Sequence, residues 1–114
     1  MSGITTHVLD TSLGQPAAGI LVQLESRNKD ADPGWFNAGS GVTNSDGRVG
    51  ELTSDKLDPG HYRISFLVGD YFKLRNVESF YPVVRIEFEI KDAEQHYHVP
   101  LLLNPFGYST YRGS

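Results

Sequence analysis

Between Val84 and Lys91 apolar and charged residues alternate one for one, with Val84, Ile86, Phe88 and Ile90 on one side and Arg85, Glu87, Glu89 and Lys91 on the other. Successive side chains of an extended strand point to opposite faces, so a period of two specifies a strand half in a core and half in water. The same pattern recurs along the chain. Ile4 to Leu9 alternates Thr with aliphatic residues, and Ile20 to Glu25 turns Gln23 and Glu25 to one face. Trp35 to Thr43 reads as a strand loosened by Gly39 and Gly41, and His61 to Phe66 sets Tyr62, Ile64 and Phe66 together. His96 to Leu103 and Tyr108 to Arg112 complete the set. Turn signals separate them: Asp10 to Pro16, Asn28 to Gly34, Asn44-Ser45-Asp46-Gly47 and Asp58-Pro59-Gly60. Asp-Gly reaches positive φ without steric cost, and Pro presets φ. Only Asp70 to Glu78 invites a helix, with Tyr71, Leu74 and Glu78 on one side and Asp70 as its cap. The expectation is one all-β domain over residues 1–114, a β-sandwich with one short helix.

Composition excludes several functions. Ten Lys and Arg against fourteen Asp and Glu give a net charge of −4. A nucleic-acid or anionic-membrane partner needs a basic surface instead. The cysteine count is zero, which removes disulfide scaffolds, thiolate zinc sites and thiol nucleophiles. A chain of 114 residues buries roughly 60–70% of its extended surface, a core with little to spare. Support from association is therefore expected. Met1-Ser2-Gly3-Ile4-Thr5-Thr6-His7 lacks the basic and apolar regions of a signal peptide, and no stretch is apolar for the length of a bilayer. A soluble, cytoplasmic protein with no membrane partner is expected.

The strand around His98 carries the first chemical signal. Tyr97, Val99, Leu101 and Leu103 form its apolar core face, which places His96, His98, Pro100 and Leu102 on the other. Apolar residues on both faces of a strand imply packing on both sides, here a second sheet inside and another subunit outside. His96 and His98 project the same way, as zinc ligands do, but no further ligand signature accompanies this common spacing. His61, at a turn-to-strand boundary, reads as exposed or satisfied by packing. Asn44-Ser45-Asp46-Gly47 fails as an EF-hand loop, because Val42 and Thr53 stand where Asp and Glu are needed. No phosphate loop and no Gly-x-Ser-x-Gly elbow is present. Asp10, Asp46, Glu87 and Glu89 read as turn formers and a solvated face.

Four motifs together resemble the 5-hydroxyisourate hydrolases, the transthyretin-related enzymes of urate breakdown. They are Thr5-Thr6-His7-Val8-Leu9-Asp10-Thr11 with Gly14-x-Pro16-Ala17, then Asp46-Gly47-Arg48, then Tyr97-His98-Val99-Pro100-Leu101-Leu102, and the terminal Tyr111-Arg112-Gly113-Ser114. They occur in order over nearly the whole chain, which ends where the family ends. The resemblance implies a transthyretin-like sandwich of two four-stranded sheets with one short α-helix. It implies a homotetramer, a dimer of dimers, whose active sites lie in a channel between dimers. The reaction it implies is hydrolysis of 5-hydroxyisourate to 2-oxo-4-hydroxy-4-carboxy-5-ureidoimidazoline.

By the same resemblance His7, Arg48 and His98 are catalytic, with no metal and no cofactor. Splitting a cyclic amide needs an activated water, stabilisation of the oxyanion and a proton for the leaving nitrogen. Imidazole suits the first and third tasks near neutral pH, and a guanidinium binds two oxygens of an anion at once. His7, Arg48, Tyr111, Arg112, Gly113 and Ser114 would bind substrate, with Arg48 and Arg112 forming a cationic patch. Two other classes compete. A transthyretin-type carrier would use the same channel for a small ligand but lacks the His, Arg, His and Tyr-Arg-Gly-Ser set. A generic adhesion module would explain the sandwich and leave the terminal tetrapeptide without a role.

Overall fold

The computed structural model describes residues 3–27, 34–50, 52–53 and 57–113. The turn expected from Asn28 lies outside the described residues except for Gly34, as does Ser114. The described elements run β1 (Gly3–Asp10), β2 (Gln15–Pro16), β3 (Leu21–Arg27), β4 (Trp35–Val42), β5 (Arg48–Val49), β6 (Gly60–Phe66), α1 (Val68–Leu74), β7 (Val84–Ile90), β8 (His96–Asn104) and β9 (Gly107–Thr110). Each strand that the alternation pattern marks is present, with its ends moved by at most two residues. The longest unbroken period of two, β7, alternates as read, with Val84 and Ile90 buried and Arg85, Glu87 and Glu89 exposed.

Two sheets pack face to face, as expected of a transthyretin-like sandwich. One is four-stranded in the order β4-β3-β6-β7 and antiparallel throughout. The other runs β2-β1-β8-β9, with β5 also pairing β1. It counts five strands because two-residue segments border β1 at different heights, β2 beside Leu9 and Asp10 and β5 beside Thr6 and His7. The pairing of β1 with β8 is parallel, the others antiparallel. Between the sheets lie Ile4 and Val8 of β1, Val22 and Leu24 of β3, Ile64 and Phe66 of β6, and Leu101 and Leu103 of β8, all essentially without solvent contact. Burying each such side chain contributes about 1.5–3 kcal/mol. Ile86 and Phe88 are only half-buried, because β7 is an edge strand and the sandwich opens there.

Helix α1 begins two residues before the expected start and ends four residues before the expected end. Tertiary hydrogen bonds decide its start: Leu67 N–H donates to Leu21 O at 3.0 Å and Gly69 N–H to Pro82 O at 3.0 Å. Leu67 therefore sits at the N-cap without a side-chain cap, and Asp70 falls in the first turn. Its charge still faces the positive end of the helix. The buried face is Val68, Tyr71 and Phe72, whereas Leu74 is 83% exposed. Asn76, at φ 56°, closes the helix in the left-handed region.

Asp10 is not the solvated turn former that the sequence suggests. It is 2% exposed and accepts hydrogen bonds from Ser12 N–H at 3.0 Å, from the Ser12 hydroxyl, and from Tyr71 O–H at 2.8 Å. The end of β1 is thereby fastened to α1. Burial, then the bond and charge of Asp10, push the Tyr71 phenol up to about 12. Tyr71→Phe leaves a buried carboxylate short of one donor, so urea unfolding should show a loss of about 1–3 kcal/mol. The folded pKa lies above the ordinary 10.0, so this contribution is complete below pH 10 and disappears as pH rises towards 12. No helix among the described residues is long and apolar enough to cross a membrane.

Candidate active site

The outer face of the β1–β8 sheet carries the polar residues that the strand period turns away from the core. On β1 these are Thr5 and His7, between buried Ile4, Thr6 and Val8. On β8 they are His96 and His98, on either side of buried Tyr97. Register then unites them. Thr5 pairs with His98 across the parallel ladder, and His7 pairs with Arg48 across the antiparallel one. Directly paired residues share a face, so three strands deliver His7, Arg48 and His98 to one surface.

The Asn44–Arg48 turn places the cation. Asn44 Oδ1 accepts from Asp46 N–H at 2.9 Å and Arg48 N–H at 3.0 Å, and Gly47 N–H donates to Asn44 O at 2.9 Å. Gly47 adopts φ 75°, and a Cβ there would lie 2.3 Å from Val8 O. Only glycine combines that conformation with so close an approach. Val8 N–H in turn donates to Gly47 O at 2.7 Å, which hands the chain to β5 beside His7. Arg48 is exposed, and the one ion pair among the described residues is Arg63–Glu25, on the other sheet. Its guanidinium is thus available to an anion.

A groove of about 510 Å³ opens on this face, and its walls include Thr5, Asn44, Arg48, Val49, His96 and His98. His98 is half-buried. Burial first, then the charges of Arg48, His7 and His96, hold its imidazole below the ordinary 6.5, against a smaller opposing effect of Thr5. A neutral imidazole beside a guanidinium is the arrangement of a general base next to an anion-binding group. Nδ1 of His98 lies 2.8 Å from Thr5 Oγ1, and among the described residues Nε2 has no hydrogen-bond partner. The same Thr5 oxygen lies 2.9 Å from Nε2 of His96. Among the described residues no three His, Asp or Glu side chains converge as metal ligands.

The tail divides. Gly113 returns to β8, donating its N–H to His98 O at 2.8 Å, and a Cβ on it would lie 2.6 Å from His98 Cδ2. Within this chain Arg112 does not line the groove with Arg48, where the cationic patch was expected. Its guanidinium lies 4.4 Å over the Tyr97 ring and donates to Gln95 Oε1 at 2.8 Å. Past the end of β9 the exposed side chain lies over the Tyr97 ring, where an aromatic face and an amide oxygen engage the cation. Tyr111 and Arg112 border a separate hollow of about 170 Å³ with Ile86, Phe88 and Val99. Within one chain, then, His7, Arg48, His98 and Gly113 come together, and Tyr111 and Arg112 do not. Thr5, Asn44 and His96 are additions that sequence reasoning did not assign to the site. The His-x-His period marked His96, but nothing local showed that Thr5 would stand between the two rings.

The HIUase/Transthyretin family model matches residues 4–113. A 5-hydroxyisourate hydrolase of Halalkalibacterium halodurans is 49% identical over 122 residues, with 100% of each chain covered. The solved 5-hydroxyisourate hydrolase of Klebsiella pneumoniae superposes with a TM-score of 0.85 at 37% identity, covering 100% of this chain and 94% of that one. Sea bream transthyretin in complex with thyroxine superposes with a TM-score of 0.88 at 28% identity, covering 96% and 93%.

Proposed function

Because this chain belongs to the HIUase/Transthyretin family, we infer that it is a 5-hydroxyisourate hydrolase, converting its substrate to 2-oxo-4-hydroxy-4-carboxy-5-ureidoimidazoline. The observation that carries this reading is the meeting of His7, Arg48 and His98 on one open sheet face from three separate strands. Packing requires none of the three there. A carrier of the transthyretin type, the reading that the thyroxine-bound neighbour favours, leaves all three without a task.

The roles follow from the chemistry of each group. Water is activated by the His7/His98 pair, in which His98 is the half-buried ring held neutral. Arg48 grips the anionic, urate-like substrate and offsets the negative charge of the tetrahedral oxyanion. An imidazole that has taken the water's proton returns it to the leaving nitrogen. This scheme needs neither a metal nor a covalent intermediate. Gly113 supports the His98 segment of β8, Arg112 ties the tail down through Tyr97 and Gln95, and Tyr111 and Ser114 close the pocket in the assembled protein. The assembly is a homotetramer, a dimer of dimers, in which the groove faces another subunit. Its setting is urate breakdown in the cytoplasm.

The test is to generate 5-hydroxyisourate from urate with a uricase and follow its decay by absorbance. Decay at the spontaneous rate in the presence of folded protein rejects the enzyme. Acidification gives a second check. The base must be neutral, and His98 lies below the ordinary 6.5, so the fall of kcat/KM with acidification should be centred below pH 6.5. A decline centred above 6.5 contradicts His98 as the base.

A further inference from the structure

Thr5 stands between two imidazoles, with Oγ1 at 2.8 Å from Nδ1 of His98 and 2.9 Å from Nε2 of His96. A hydroxyl has one hydrogen, so it donates to one ring and must accept an N–H from the other. Two arrangements satisfy this. In the first, His98 carries its proton on Nδ1 and gives it to Thr5, Thr5 donates to His96, and Nε2 of His98 is left as a bare acceptor. In the second, every proton of the chain is shifted by one position, and Nε2 of His98 carries hydrogen.

We propose that Thr5 is the positioning residue for His98 and that the Thr5 hydroxyl and His96 form a proton relay out of the groove. The inference rests on the hydrolase reading. As water adds to the substrate carbonyl, Nε2 of His98 takes a water proton while the oxygen forms the new C–O bond. The Nδ1 proton passes to Thr5 Oγ1, and the Thr5 proton passes to Nε2 of His96. His98 ends neutral, and the positive charge rests on His96. When the C–N bond breaks, Nε2 of His98 protonates the leaving nitrogen and the chain shifts back, restoring the first arrangement. Proton count and charge balance over the cycle.

The geometry explains why a relay serves this site better than a single ring. His98 is half-buried and lies beside the Arg48 guanidinium, so an imidazolium there is short of water and next to a permanent cation. His96 is exposed, and water solvates its charge. The relay moves the charge from the crowded position to the wet one.

Three variants and two readouts test this. Thr5→Val keeps shape and strand propensity and removes only the hydroxyl. Its kcat should fall about 10–100-fold, with KM changed far less, as for loss of acid–base efficiency without loss of binding. Thr5→Ser should recover most of that loss. His96→Gln should lower kcat roughly tenfold, and imidazole added to the assay should restore it. Ring ¹⁵N NMR of the substrate-free protein should show His98 with its proton on Nδ1 in the wild type and on Nε2 in Thr5→Val. Wild-type kcat in Thr5→Val, or an unchanged His98 tautomer, overturns the relay while an active wild type leaves the hydrolase reading intact. An inactive wild type removes that reading and the relay with it.

Discussion

His98→Ala is expected to lower kcat/KM for 5-hydroxyisourate by about 10²–10⁴-fold, the span that a general acid–base group supplies. The ring is half-buried, burial and then the Arg48 charge hold its imidazole below the ordinary 6.5, and among the described residues its Nε2 has no hydrogen-bond partner. His7→Ala and Arg48→Ala should move kcat/KM in the same direction. Arg48→Lys should not rescue, because an ammonium cannot hold two substrate oxygens in one plane. All three positions to be altered face outward from the sheet, so thermal unfolding and sedimentation should match the wild type. Initial rates on uricase-generated substrate, measured alongside those two controls, decide the matter. A His98→Ala protein that turns over normally rejects the catalytic assignment.

Gly113→Ala should cost roughly 10²-fold in kcat/KM, from displacement alone. The added carbon would lie 2.6 Å from Cδ2 of His98, closer than real Cβ contacts come, so one partner must move. Backbone pairing holds Gly113 through its N–H on His98 O, and the imidazole is the part free to turn. A rotated ring loses its bond to Thr5 and its aim at the groove together. The residue lies near the end of the chain, away from the packed core, so the thermal midpoint should stay close to wild type. Removing Tyr111 to Ser114 should impair turnover in the same direction. If Gly113→Ala reaches the wild-type rate, the tail merely finishes the sheet.

Local patterns in the chain were sufficient for the strands and misleading for the helix and one acid. The alternation from Val84 to Ile90 is a property of neighbouring residues, and the strand formed where the period required. Asp70 looks like a cap because it precedes a short helical pattern. The observed start is set instead by Leu67 and Gly69 bonding to Leu21 and Pro82, residues far along the chain or across a loop. Asp10 looks solvated because it opens a turn, yet Tyr71, 61 positions later, buries it and donates to it. In both cases a partner distant in sequence outweighed the local preference.

Arg112 makes the same point within the site. Its place in the terminal motif predicts a partner for Arg48, but after β9 the exposed side chain meets the Tyr97 ring and the Gln95 amide instead. Thr5 is the converse case, a strand threonine of the first motif with no role of its own until the parallel register of β1 on β8 sets it opposite His98.

By itself the sequence determined the faces: which side chains of each strand go to the core, which turn needs glycine at Gly47, and which residues form the motifs of His7, Arg48, His98 and the tail. Those depend on a two-residue period and on single-residue conformational limits, both local. The tertiary structure alone decided the pairings: His7 with Arg48, Thr5 between His96 and His98, Gly113 against the His98 ring, and Arg112 over the Tyr97 ring. Register joins residues up to 93 positions apart, as Thr5 and His98 are, and only the packing of whole sheets selects it.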